Sequence, residues 1–128
     1  MFKVIVAEKQ VERLAIEKNG NYLYWLKQTT MYLIREVFKA RPGKAKDLVK
    51  MFKAAAPHFA KTQEIHNMKV LTDVVGPYWT VVVESETENI GGFFTNLRSA
   101  TMSDEIKEIM KDYMSCIEGG RREMYMIE

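Results

Sequence analysis

The chain has 128 residues, 47% of them hydrophobic and 28% charged, with a net charge of +2. That is the size of one domain and the balance of an ordinary globular chain, which excludes disorder, collagen and fibrous repeats. No apolar run is long enough to cross a bilayer, and a single cysteine, Cys116, excludes an internal disulfide framework and fits a reducing, cytoplasmic compartment.

The opening stretch Phe2 to Ala7 is too short for a signal-peptide core and can be read as a strand. Val11, Leu14 and Ala15 suit a short amphipathic helix ending near Asn19-Gly20. The same Asn-Gly pair equally suits a hairpin turn between Glu12–Lys18 and Tyr22–Lys27. A third reading makes Met31 the start of the domain and residues 1–30 an extension of it. All of the positive excess falls in these first 30 residues, five basic against three acidic.

Met31 to Ala40 is rich in β-branched and aromatic residues and predicts a strand. Arg41-Pro42-Gly43 stops it, and Pro42 marks a helix entry. Ala45, Leu48, Val49, Phe52 and Ala56 then share one side of a helix, with Lys46, Asp47, Lys50 and Lys53 on the other. The basic run Lys39 to Lys53 is therefore a solvated helix face rather than a nucleic-acid stripe. Pro57 is expected to kink or end this helix, with a further turn over Phe59 to Glu64.

Met68 to Val75 predicts a second strand, Gly76-Pro77 a turn, and Tyr78 to Glu86 a third strand, together an antiparallel hairpin. Ile90, Phe93, Phe94 and Leu97 recur at helical spacing within Thr87 to Leu97. Ser103 is a good N-cap, and Ile106, Ile109, Met110, Tyr113, Met114 and Ile117 form the stripe of a long helix. Gly119-Gly120 is expected to end that helix, and Arg121 to Ile127 predicts a last strand. Strand, helix, strand, strand, helices, strand is the split βαβ order of an α+β, ferredoxin-like fold with an antiparallel sheet.

In such a fold the helices cover one sheet face and the other meets water. Here Trp79, Val81 and Val83 alternate with Tyr78, Thr80 and Val82, and Leu71 and Val75 with Val70 and Val74, so neither face reads as polar. The expected cover is a second copy, giving a homodimer through the sheet face; the competing cover is the chain's own leader.

Three segments carry a family resemblance: Tyr32 to Lys44, Val70 to Glu86 and Gly120 to Tyr125. They resemble the dimeric α/β-barrel superfamily, nearest to its NIPSNAP-like and antibiotic-biosynthesis-monooxygenase-like members, over residues 31–128. The resemblance implies a ferredoxin-like protomer, a homodimer whose sheets form a shared barrel, and activities ranging from cofactor-free oxygenation of polyketide quinones to haem degradation. The haem-degrading members pair a strand asparagine, a strand tryptophan and a helix histidine. Trp79 matches in kind, but Met31 to Ala40 has no asparagine and Ser103 to Glu118 no histidine.

His58 and His66 are eight apart and follow no metal-ligand spacing, so no metal is expected. His66 is a candidate base near neutral pH. Arg35 is a candidate for holding a substrate carboxylate or enolate, or else pairs with Glu84 or Asp73. Trp79, Tyr78, Tyr32, Phe93 and Tyr113 are candidates to line an apolar pocket between sheet and helices, or are plain core. Cys116 has no basic neighbour in sequence and reads as an inert thiol. No phosphate loop or hydrolase elbow is present. The function expected is that of a small dimeric protein binding an apolar or aromatic ligand, with no cofactor, nucleic acid or membrane. A cofactor-independent monooxygenase on an aromatic enolisable substrate is the alternative.

Overall fold

The computed structural model describes residues 11–18, 21–28, 30–62, 65–98 and 103–128. Two strands, β1 (Val11–Lys18) and β2 (Asn21–Gln28), pair antiparallel from Val11↔Gln28 to Lys18↔Asn21 and make a separate two-stranded sheet. The hairpin is thus the leader's structure, in place of the helix. The Asn19-Gly20 turn and the expected strand Phe2 to Ala7 lie outside the described residues.

The remaining elements are β3 (Met31–Ala40), α1 (Ala45–Thr62), β4 (His66–Thr72), β5 (Thr80–Thr87), α2 (Ile90–Arg98), α3 (Asp104–Ile109) and β6 (Ile117–Ile127). The four later strands form one antiparallel sheet in the order β4-β5-β3-β6. This is the ferredoxin-like arrangement that the element order predicts.

Register sorts the side chains into two faces. On the covered face Ala40, Val81 and Val83 pack with Leu48, Phe52 and Ala55 of α1 and Ile106 of α3. Phe38 stacks on Phe52 with ring centroids 5.0 Å apart. Ile34 joins Ile65 and Phe93 in a smaller cluster, and Phe59 bridges the two. Cys116 is buried in the larger cluster.

The structure departs from the sequence reading at four places. Pro57 does not break α1, which runs unbroken to Thr62. Both Pro57 and Lys53 are exposed, so water can take the carbonyl that the proline leaves unpaired, while Phe59 beyond it anchors the helix to both clusters. The long helix expected after Ser103 is short: α3 ends at Ile109 with Met110 as its C-cap, and a 3-10 turn over Tyr113–Cys116 leads into β6.

Gly119-Gly120 therefore lie inside a strand and do not cap a helix. A Cβ on Gly120 would sit 2.5 Å from the Val37 carbonyl oxygen, so only glycine lets β6 approach β3 beside the bulge at Lys39/Ala40. The fourth departure is at Val74, Val75, Tyr78 and Trp79, which belong to no strand; β4 stops at Thr72 and β5 begins at Thr80, so Trp79 is a loop and not a strand tryptophan. No described helix is long and apolar enough to cross a membrane.

Candidate functional site

The open face of the sheet is not apolar throughout, contrary to the sequence reading. Pairing places Arg35 of β3 directly between Glu84 of β5 and Glu123 of β6. Arg35 Nε donates to Glu84 Oε2 at 2.9 Å and Nη1 to Glu123 Oε1 at 3.0 Å. Glu123 also accepts from Arg121 Nε at 2.6 Å and from the Tyr125 hydroxyl at 2.8 Å. One guanidinium thus laces three strands. Of the two sequence readings of Arg35, the pairing is with Glu84 as expected, and with Glu123 in place of Asp73.

These contacts polarise the groups. Burial works against the Arg35 charge, but Glu123 and Glu84 outweigh it and hold its pKa above the ordinary arginine value. The bonds from Tyr125 and Arg121 pull Glu123 below the usual carboxylate range, and the same bond to Glu123 raises Tyr125. On the covered side Arg122 pairs with Glu36 and lies 5.7 Å from the Phe93 ring centroid.

Between these charged groups the face keeps apolar ground. Val37 and Val82 are buried in a groove of about 450 Å³ bordered by Arg35, Lys39, Pro77, Gly119 and Arg121. Leu71, opposite Val82, and Tyr125, opposite Leu33, are exposed on the same face.

A second cleft, about 490 Å³, opens where the β4–β5 loop meets the start of α1; Tyr78, Trp79, Thr72 and Asp73 face Ala45, Lys46 and Val49 there. Its loop is tightly tied. Asp73 Oδ1 accepts from Thr80 N at 2.9 Å, Asp73 N donates to Thr80 O at 3.2 Å, and the Thr80 hydroxyl donates to Pro77 O at 2.8 Å. Ala40 N donates to Trp79 O at 2.8 Å. These bonds hold Trp79 at φ +63°, a left-handed conformation that costs a bulky residue about 1–3 kcal/mol. Strain of this kind persists only where the surroundings impose it, and it concentrates at ligand sites.

The five aromatic candidates do not meet in one pocket. Tyr78 and Trp79 share the second cleft, Phe93 is buried beside Ile34, and Tyr113 packs on the larger core cluster. Tyr32 lies half-buried on β3, opposite Thr87 and Met126. His66 sits exposed at the start of β4, paired with Glu86, and lines neither cleft; His58 lies on α1. Among the described residues no group of three or more His, Cys, Asp or Glu side chains could hold a metal ion. The sequence reading missed Lys46 and Asp73 as cleft residues. The Asp73-to-Thr80 spacing across Gly76-Pro77 is the signal that a closed turn stands there.

No family model and no curated protein matches the sequence. Solved structures do match in shape. A NIPSNAP family protein from Agrobacterium tumefaciens superposes with a TM-score of 0.61 at 11% identity, covering 74% of this chain and 90% of that one. An antibiotic biosynthesis monooxygenase candidate from Chloroflexus aurantiacus gives 0.60 at 12% identity, covering 77% and 93%. A dimeric protein of unknown function with a ferredoxin-like fold from Bacteroides fragilis gives 0.59 at 19% identity, covering 76% and 96%. The chain has the ferredoxin-like fold of these proteins. At such identities the likeness shows the fold alone, and it agrees with the resemblance read from residues 31–128.

Proposed function

We propose that the protein is a homodimer, two sheets face to face in an α/β barrel, that holds a small flat apolar or aromatic ligand in the cleft beside Tyr78 and Trp79. The observation that carries the ligand reading is Trp79 itself. It is held in a strained conformation by four hydrogen bonds around its loop and is still 41% exposed toward a cleft of ligand size. Val49 and Ala45 supply the apolar wall opposite, while Lys46 and Asp73 supply polar groups that orient a ligand. The homodimer draws on the apolar ground of the open face and on the dimeric neighbour from Bacteroides fragilis. A cytoplasmic location, read from the lone cysteine, is part of the same proposal.

The experiment uses 2-naphthol as a flat aromatic probe and Trp25→Phe protein, in which Trp79 is the sole tryptophan. The expected result is saturable quenching, weakened at least fivefold by Tyr78→Ala with no fall in melting temperature. Quenching that never saturates, or equal binding by Tyr78→Ala, overturns the ligand site.

The second reading, a cofactor-independent monooxygenase on an aromatic enolisable substrate, draws on the Chloroflexus neighbour. It requires a base at the cleft. Oxygen uptake with 1,4-dihydroxynaphthalene, abolished by Asp73→Asn, supports it, and uptake no faster than the uncatalysed rate removes it.

A further inference from the structure

We infer that the β4–β5 loop is an arm that seats in the open-face groove of a second copy of this chain and receives that copy's arm in return. The inference rests on the homodimer proposed above and deepens it by naming what crosses between the subunits.

The arm is the most exposed apolar segment described. Val74 is 95% exposed, Val75 96% and Tyr78 81%. Two adjacent valines standing free in water forgo the roughly 25 cal/mol per Å² that burial would return. They are not on a slack loop, because the Asp73–Thr80 bonds close its base and hold its shape before any partner arrives. A preformed arm loses little conformational entropy on docking.

The groove suits that arm in three ways. Its floor, Val37 and Val82, is apolar, and its volume of about 450 Å³ accommodates small apolar groups. Two of its bordering cations, Arg35 and Arg121, are already paired with Glu84 and Glu123, and residues 74–79 carry no charge, so an apolar arm can dock without having to satisfy either guanidinium. Arm and groove also adjoin on the same subunit, because Pro77 belongs to the loop and lines the groove. A twofold axis passing near that corner exchanges both arms at once, which closes the assembly at two copies. The loop so clamped is the one whose other side, Tyr78 and Trp79, walls the ligand cleft.

The test compares the full chain with Val75→Asp by sedimentation velocity, then mixes Val75→Cys protein with a separately tagged Gly119→Cys protein under mild oxidation. Gly119 is exposed, and a Cβ there meets nothing within 4 Å, so the groove-side cysteine fits without strain. The expected results are a two-copy wild type, at least tenfold weaker self-association of Val75→Asp with an unchanged far-UV spectrum, and a cross-link joining the two differently tagged chains. If Val75→Asp fails to fold, the cross-link decides alone. A wild-type dimer that Val75→Asp leaves intact, or the absence of the mixed cross-link, overturns the arm and leaves the homodimer standing. A wild type that sediments as one copy overturns both and assigns the loop to another partner.

Discussion

The two faces of the four-stranded sheet come from the same strands and are built on opposite terms. On the covered face Ile34, Ala40, Val81 and Val83 meet Leu48, Ile106 and Phe93, and the contacts are apolar and close-packed. On the open face Arg35, Glu84, Glu123 and Arg121 are laced by charge-assisted bonds around the patch made by Val37 and Val82. The first arrangement stabilises the single chain. The second fixes strand register while leaving apolar ground for something to cover, and it lets the face sit in water without collapsing onto itself. A run of β-branched residues on both sides of a strand thus marks two faces, each with its own chemistry.

The contrast predicts a graded series. Leu48→Ala removes a fully buried side chain from the covered face and is expected to lower stability by about 3 kcal/mol in urea unfolding, with the oligomeric state of the folded fraction unchanged. A loss below about 1 kcal/mol means that the packing on α1 is not the main support of the chain.

Gly120→Ala brings a Cβ against the Val37 carbonyl and is expected to cost about 2 kcal/mol, while Gly119→Ala next to it is expected to cost less than about 0.5 kcal/mol. Equal effects at the two positions contradict the close approach of β6 to β3.

Arg35→Ala strips the open face of its central cation. The side chain is 31% exposed, so the expected loss is only about 1 kcal/mol, and it shrinks as salt is added. A salt-independent loss would place Arg35 with the packed core instead.

The smallest effect is in pH. Glu123 has its folded pKa lowered by Tyr125 and Arg121, so its contribution is present above the ordinary glutamate value and is lost as pH falls through the depressed one. Wild-type stability is expected to decline below about pH 4 with a component that Glu123→Gln lacks, read from melting temperatures across pH. Identical acid slopes in the two proteins contradict the network's role.

Much of the fold was legible because periodicity and punctuation agree. Met31 to Ala40, the apolar side of α1 and the Ser103 cap all stand where spacing places them, and the Ser103 hydroxyl does accept from Ile106 N. The misreadings share a cause in long-range contact. Gly119-Gly120 resembles a helix stop, and only the approach to Val37 shows why two glycines lie in a strand. Val74-Val75 continues the apolar pattern of β4, yet the Asp73–Thr80 closure turns the chain one residue earlier. The charge ladder Glu84–Arg35–Glu123 spans residues 49 and 88 apart in sequence, and it exists only once register brings three strands together. The same holds for the candidate site: Tyr78 and Trp79 stood out as aromatics, but Lys46 and Asp73, which line the cleft with them, are ordinary charged residues until the loop folds against α1.

Sedimentation equilibrium of the wild-type chain at micromolar concentration tests most directly whether a second copy covers the open face. The account predicts a particle of twice the 14.9 kDa chain mass that Leu71→Lys, exposed on that face opposite Val82, reduces to one copy. A 14.9 kDa particle for the wild type, or a two-copy particle indifferent to Leu71→Lys, contradicts it.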